Sequence, residues 1–260
     1  MAIENVQIPS GASTIGGLLA FPTGQGPFPG VIMIPTIRAL DEFARDVIER
    51  LATENCVALA VNFFDHPGVP EDIFKRPGAQ PDDQVLGDLD AALAWLRRHP
   101  LVGDQPVFAW GYCLGGRFAM LWPTFQNGLA GVASFHGFPT NNTKNPNTPT
   151  QPLDRVQFLG TPLIAFFGEA DRLVPLKDVE DYRRALQQHR KVFEVHTYSG
   201  ADHGWTNAKG PAYRPEAAED CWRRSLEFLR RHSAQRVDIE RRADKQSFQD
   251  FQVNDEARKI

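Results

Sequence analysis

The stretch that decides the fold is VFAWGYCLGGR, residues Val107–Arg117. It opens with an apolar run of the kind found in strands that are buried on both faces of a sheet. Glycines stand two residues before Cys113 and two and three residues after it, where small residues relieve clashes between a strand and the helix that follows it. The pattern predicts a strand, a sharp turn that carries Cys113, and a helix. Its alternative interpretation is a glycine-rich turn that holds a buried cysteine.

Short apolar runs alternate with amphipathic segments along the rest of the chain, which predicts an α/β fold with a single doubly wound, mostly parallel sheet and helices on both faces. The predicted strands are Val31–Ile34, Val57–Phe63, Val107–Trp110, Val132–Phe135, Leu163–Phe167 and Phe193–Tyr198. Helical spacing of apolar residues appears in the segments 43–51, 86–96, 179–186 and 221–229. Two further runs, Val6–Pro9 and Ile15–Phe21, flank Gly11 and predict an N-terminal β-hairpin.

Two segments depart from this alternation. Residues 141–152 (NNTKNPNTPTQP) are polar and rich in turn formers, which indicates a surface loop or, alternatively, a lid. Residues 233–260 are rich in charge and poor in large apolar side chains, which predicts a solvated or frayed tail or, alternatively, a clasp onto a partner subunit. The predicted organisation is one domain over residues 1–232 and a charged tail over 233–260.

Composition excludes several classes of protein. Lys and Arg number 28 against 32 Asp and Glu, with a net charge of −4, so there is no basic surplus for nucleic acid. No apolar run is long enough to predict a membrane span. Three scattered cysteines are too few for a disulfide framework or a zinc cluster, and the first residues lack the pattern of a secretory signal. We therefore expect a cytoplasmic protein that binds neither nucleic acid nor membranes.

An acid and a histidine follow two of the later strands. Asp171 lies in GEADRLVP (168–175), just after Leu163–Phe167, and His203 lies in GADHGW (200–205), just after Phe193–Tyr198. Because parallel strands end at the same edge of a sheet, these side chains are expected near Cys113. The order nucleophile, acid, histidine is typical of α/β-hydrolases. It predicts a triad in which His203 takes the thiol proton and Asp171 orients the imidazole.

From Ile15 to His232 the sequence resembles the dienelactone hydrolase family of α/β-hydrolases. The resemblance rests on three motifs: G-x-C-x-G-G at 111–116, G-x-x-D-x-x-V-P at 168–175, and the His-Gly pair at 203–204. It implies a Cys113–His203–Asp171 triad and an oxyanion hole formed by the backbone amides of Ile37 and Leu114. It also implies hydrolysis of small esters or lactones through a thioacyl intermediate, with no metal and no organic cofactor.

Two positions depart from the family. Members that cleave dienelactone have a Glu where this chain has Thr36, and an Arg where it has Asn207. The resemblance therefore transfers the triad but not the dienelactone substrate. Arg38 is a candidate for binding a substrate carboxylate, with a solvated charge as its alternative role.

Other candidates for the substrate site are aromatic or polar residues near strand ends. His136 and Trp205 are candidates for lining a pocket, with core packing as their alternative role. Arg76 and His66 could reach the mouth of the site. A hydrolase of amides, or a non-catalytic or redox-sensing binding protein with the same fold, remains an alternative function. Both a monomer and a homo-oligomer are compatible with the sequence.

Overall fold

A computed structural model describes residues 2–140 and 145–234 of the chain. Eight strands form a single sheet in these residues. They are β1 (Ala2–Ser10), β2 (Ser13–Phe21), β3 (Gly30–Ile34), β4 (Val57–Val61), β5 (Val107–Tyr112), β6 (Gly131–Phe135), β7 (Leu163–Gly168) and β8 (Phe193–Tyr198). Their order across the sheet is β1-β2-β4-β3-β5-β6-β7-β8.

The sheet is antiparallel only at its N-terminal edge. Strands β1 and β2 form a hairpin, and β2 pairs antiparallel with β4. The other neighbours pair in parallel, from β4 through β3, β5, β6 and β7 to β8. The predicted mostly parallel sheet with an N-terminal hairpin is therefore confirmed. The carboxyl ends of β3, β5, β7 and β8 meet at one edge, where the segments that carry the candidate triad emerge.

Helices cover both faces of the sheet, as predicted. The helices are α1 (Glu42–Thr53), α2 (Asp82–Arg97), α3 (Leu114–Leu121), the single turn α4 (Pro152–Arg155), α5 (Leu176–Gln188) and α6, which begins at residue 215 and reaches 234, the last residue described. Apolar residues of α2, α3 and α5 pack into the core on one face, and those of α1 and α6 into the core on the other. Burying apolar side chains on two faces is the main stabilising contribution in such a three-layer domain.

A buried ion pair joins α3 to the start of α2. The Arg117 guanidinium donates to both carboxylate oxygens of Asp82, at 2.7 and 2.9 Å, and to the carbonyl oxygen of Thr150 at 2.5 Å. Both charged side chains are almost completely buried. A paired, bidentate geometry is what makes such burial tolerable. The contact ties the segment near residue 150 to the helix that follows Cys113.

Two predicted segments lie partly or wholly outside the described residues. The charged tail does so from residue 235 onward, and the polar segment 141–152 is described only from Asn145. Within the parts of the chain that the structure does describe, no helix combines the length and the apolar character needed to cross a bilayer.

Candidate active site

Cys113 sits on the tight turn between β5 and α3. Its backbone has φ 56° and ψ −117°, a conformation that residues other than glycine rarely adopt. The neighbouring glycines are required by close approach of backbone to backbone. A Cβ atom on Gly111 would lie 2.0 Å from the carbonyl oxygen of Gly115, and one on Gly115 would lie 2.0 Å from that of Ile34. The predicted strand, turn and helix around Cys113 are confirmed.

Asp171 and His203 meet beyond the ends of β7 and β8. The Nδ1 atom of His203 lies 2.8 Å from Oδ2 of the fully buried Asp171. The other carboxylate oxygen of Asp171 accepts hydrogen bonds from the backbone amides of Leu173 and Val174, at 2.8 and 3.1 Å. The carboxylate is thus held by its own loop, and its bond to Nδ1 leaves Nε2 of His203 as the ring atom free for proton transfer.

The free side of His203 faces the thiol. Its Nε2 is buried and makes no hydrogen bond in the described structure. Burial alone would lower the pKa of His203, but the Asp171 carboxylate and the Cys113 sulfur outweigh burial and raise that pKa from 6.5 to about 10. Hydrogen bonds and nearby negative charge favour the charged form of an imidazole. The structure thus places a protonated His203 beside the Cys113 sulfur.

A second histidine, His136, packs against the first. Its ring meets that of His203 edge to face, with 4.7 Å between ring centroids. Burial and the neighbouring His203 lower the pKa of His136 well below its usual value, so it is neutral at physiological pH. Cys113, His136 and His203 each offer one possible metal-ligand atom, and these atoms lie within 4.8 Å of one another. Within residues 2–140 and 145–234 this is the one group of three or more potential ligands of this kind.

Ile37 and Leu114, whose backbone amides are the predicted oxyanion donors, border the same cavity as Cys113. Leu114 is the first residue of α3, where a backbone N–H has no partner within the helix. The turn that carries Ile37 is stabilised on both sides. The hydroxyl of Thr36 accepts a hydrogen bond from the amide of Arg38 at 3.2 Å, and the Arg76 guanidinium donates to the carbonyl oxygen of Ile37 at 3.1 Å. Thr36 and Arg76 therefore position this turn.

Two cavities meet at Cys113. One, of about 260 Å³, is bordered mainly by apolar side chains and by backbone: Ile37, Pro77, Gly78, Leu114, Phe138, Leu173 and, at one end, Arg117, Asn145 and Thr148. The other, of about 460 Å³, is more polar. It is bordered by residues 36–38 and 41–43, by His136, His203 and Gly204, and by residues 206, 207 and 209–212. A larger hollow of about 630 Å³ lies beside Pro29, Cys56 and Pro106, at the opposite edge of the sheet.

The predicted substrate-site residues divide into two groups. Thr36, Arg38, His136 and Asn207 all border the polar cavity. Trp205 borders neither cavity at Cys113, because it is fully buried behind the site, where its ring packs against His136.

Of the two residues predicted to reach the mouth of the site, Arg76 contacts it and His66 does not. Arg76 reaches the turn of Ile37, as described above. His66 instead pairs with the buried Asp88 at 2.7 Å and borders neither of the cavities at Cys113.

Sequence reasoning missed most of the apolar cavity. Besides Ile37, Phe138 and the start of α3, its walls include three loops that are distant in the chain, around Gly78, Asn145 and Leu173. The side-chain amides of Asn145 and Asn147 both donate to the carbonyl oxygen of Gly78, at 3.2 and 3.0 Å. The polar composition of the segment from 141 to 152 was visible in the sequence, but the partner of those asparagines was not.

Comparisons with known proteins agree with this geometry. The profile of the dienelactone hydrolase family matches residues 15–233. A protein of Escherichia coli strain K12 assigned as a carboxymethylenebutenolidase is 32% identical over 219 residues, which cover 81% of this chain and 80% of that protein. A Bradyrhizobium protein assigned as a 2-oxo-3-(5-oxofuran-2-ylidene)propanoate lactonase is 30% identical, over 89% of this chain and 95% of its own length.

A solved structure leads to the same family. A protein of Klebsiella pneumoniae assigned as a dienelactone hydrolase is 30% identical, covers 87% of this chain and 97% of its own chain, and superposes with a TM-score of 0.81. The match over most of the chain, in sequence and in fold, shows that this protein belongs to the dienelactone hydrolase family of hydrolases.

Proposed function

We propose that the protein is a cysteine hydrolase that cleaves small esters or lactones through a thioacyl-enzyme intermediate. The observation that carries the proposal is the 2.8 Å contact between Asp171 and His203, with the free Nε2 of that histidine facing Cys113. A thiol, an imidazole and a buried carboxylate in this order are the parts that nucleophilic acyl transfer needs.

In the first half of the reaction, the Cys113 sulfur attacks the carbonyl carbon of the substrate. The carbonyl oxygen becomes an oxyanion, and the amides of Ile37 and Leu114 donate hydrogen bonds to it. As the bond between the carbonyl carbon and the leaving oxygen breaks, His203 gives its proton to that oxygen. The products of this half-reaction are an alcohol and a thioester on Cys113.

In the second half, His203 takes a proton from a water molecule, which attacks the thioester. The acid product leaves, the sulfur of Cys113 is released from the acyl group, and His203 again carries the proton with which the cycle began. Asp171 holds His203 in one orientation throughout. This sequence of steps requires neither a metal nor an organic cofactor.

The class of substrate is supported by the assigned names of the relatives, which include a carboxymethylenebutenolidase and a lactonase. The cavities beside Cys113 suit a small molecule. A cytoplasmic location is proposed from the three free cysteines, because free thiols persist in a reducing compartment.

The experiment that tests the proposal is hydrolysis of a panel of esters, lactones and amides by the wild-type protein. We expect turnover of esters and lactones that is lost after alkylation of Cys113 with iodoacetamide. Amides should react more slowly, because an amine is a poorer leaving group. A protein that binds members of the panel but hydrolyses none would support the binding-protein alternative and contradict the proposal.

Arg38 is expected to select for a carboxylate on the substrate. Its side chain is exposed at the rim of the polar cavity and makes no hydrogen bond or ion pair within the described residues, whereas Lys209 on the same rim is paired with Glu42 and Asp46. We expect Arg38→Ala to raise KM about tenfold for esters that carry a carboxylate, the scale of one charge-assisted hydrogen bond.

The matched control for Arg38→Ala is Arg45→Ala, which changes an exposed cation of the following helix α1, outside the cavity. Kinetics with a neutral ester and a carboxylate-bearing ester of the same length would separate the two roles. An equal change in KM for both esters, or no change, would show that Arg38 is a solvated surface charge.

A further inference from the structure

Cys113 stands where two chemically different cavities join. Cys113 and Ile37 border both of them. An ester carbonyl has two substituents, the acyl group and the leaving alcohol, and these diverge from the carbonyl carbon that the sulfur attacks. If the carbonyl oxygen is bound by the amides of Ile37 and Leu114, each substituent enters one cavity. The structure then decides which substituent enters which cavity.

The position of His203 distinguishes the two cavities. It borders the polar cavity and not the apolar one. The group that donates the proton must reach the leaving oxygen, within about 2.6–3.2 Å in the reacting complex. The leaving oxygen, and the alcohol attached to it, must therefore lie on the side of His203.

We propose that the apolar cavity beside Phe138 and Leu173 binds the acyl group of the substrate, and that the polar cavity beside Arg38 and Asn207 binds the leaving alcohol. The preferred ester therefore has an apolar acyl group and a polar alcohol. This inference rests on the proposed function and adds to it the orientation of the substrate.

The lining of the apolar cavity is consistent with a hydrocarbon acyl group. Leu114, Phe138 and Leu173 contribute apolar side chains to it. The one cation on its border, Arg117, is occupied by Asp82 and Thr150, and its remaining Nε atom is buried away from solvent. A charged acyl group would lose its hydration there, beside a cation whose charge is already balanced by Asp82.

The polar cavity offers partners for an alcohol. Its border includes Arg38, Asn207, whose side-chain oxygen accepts from the amide of Lys209 and whose side-chain NH2 group remains as a donor, and Thr206, whose hydroxyl lies 3.3 Å from Nε2 of His136. Its acids are already engaged: Glu42 is paired with Lys209, and Asp41 accepts a hydrogen bond from the amide of Ala44. An alcohol that carries a hydroxyl or carboxyl group gains hydrogen bonds on this side and loses them on the other.

The orientation also applies to lactones, whose acyl and alcohol parts belong to one ring. An alkyl substituent on the α carbon, next to the carbonyl, would enter the apolar cavity. The same substituent on the carbon that bears the ring oxygen would enter the polar cavity. Enzyme activity should therefore depend on the position of the substituent and not only on its size.

The test compares isomeric substrates with the full-length wild-type protein. Hydroxyethyl hexanoate has an apolar acyl group and a polar alcohol, and hexyl glycolate has the reverse. After correction for their rates of hydrolysis by hydroxide, we expect kcat/KM to favour hydroxyethyl hexanoate by about tenfold or more, a typical effect of placing a few methylenes in a fitting pocket. For the same reason, we expect kcat/KM to be higher for α-hexyl-γ-butyrolactone than for γ-hexyl-γ-butyrolactone.

Two matched substitutions test the assignment of each cavity. Leu173 and Ala212 border different cavities, and neither side chain belongs to the triad. Leu173→Trp should lower the ratio of kcat/KM for ethyl hexanoate to that for ethyl acetate about tenfold. Ala212→Trp should instead lower the ratio for hexyl acetate to ethyl acetate. Thermal melting verifies that both variants fold.

The outcomes separate this inference from the proposed function. Equal or reversed preferences, with turnover that still depends on Cys113, would overturn the orientation and leave the cysteine hydrolase intact. Absence of turnover for all the esters and lactones would overturn the proposed function. If Leu173→Trp instead lowered the preference for the longer alcohol, and Ala212→Trp the preference for the longer acyl group, the acyl group would lie in the polar cavity.

Discussion

Cys113→Ala is expected to lower kcat/KM for esters by about five orders of magnitude or more, the scale seen when the nucleophile of a catalytic triad is removed. Cys113 is the one cysteine among the described residues that border the two cavities, and its sulfur lies beside His203. The remaining activity would come from the oxyanion-hole amides and from substrate binding alone. Steady-state hydrolysis of a p-nitrophenyl ester measures the loss.

The other two cysteines provide matched controls. Both are buried, and burial raises the pKa of each thiol, that of Cys56 to about 12 and that of Cys221 well above its usual value. Each thiol lies near a backbone carbonyl oxygen, at Glu54 and Ala218 respectively. Cys56→Ala and Cys221→Ala should therefore retain near wild-type kcat/KM. Substantial activity in Cys113→Ala, with loss in either control, would place the nucleophile elsewhere.

Asp171→Asn is expected to lower kcat by about three to four orders of magnitude, as in other triads in which the same change disturbs the histidine tautomer. The carboxylate now accepts from Nδ1 of His203 and from two backbone amides. An amide side chain cannot accept at all of these positions, because one of its ends carries hydrogens. The imidazole would then turn or change tautomer and present the wrong atom to Cys113.

The same substitution has a pH signature with a definite sign. The Asp171 carboxylate is among the groups that raise the pKa of His203 to about 10, so this histidine stays protonated well above pH 6.5 and loses its proton as the pH approaches 10. Removing the negative charge lowers that pKa, because less opposite charge stabilises the imidazolium. Titration of the ring nitrogen chemical shifts of His203 by NMR would show the change. An unmoved titration, with kcat within a factor of about two, would contradict the role given to Asp171.

Much of the fold was predictable, because its signals are local. The buried strands are continuous apolar runs such as the one that ends at Tyr112, and a run of this kind is typical of parallel sheets. The turn at Cys113 was predictable for a different reason. Gly115 approaches Ile34 so closely that no side chain fits between them. Only glycine is compatible with this turn, and the glycine is visible in the sequence.

The placement of aromatic residues was less predictable. Trp205 lies two residues after His203, and proximity in the chain made it a candidate for the pocket. The structure buries its ring behind His136. The positive φ of Gly204 and the turn that follows it send neighbouring side chains in different directions, and a sequence pattern does not reveal such directions.

The apolar cavity was the least predictable part of the site. It forms because loops at Gly78 and Asn147 bond to each other, and because Arg117 ties the chain near Thr150 to the helix after Cys113. These partners are separated by tens of residues in the sequence, and each contact pairs a common polar side chain with a backbone carbonyl. Residues of this kind carry no pattern that identifies their partners.

The central claim is that the acyl group passes through a covalent bond to the Cys113 sulfur. Acid quenching during the first turnovers of a slowly deacylating ester, followed by intact-protein mass spectrometry and peptide mapping, measures this directly. The account predicts a mass increase equal to the acyl group, located on the peptide that contains Cys113 and absent from Cys113→Ala. Turnover without any adduct on Cys113, or an acyl group located on another residue, would contradict it.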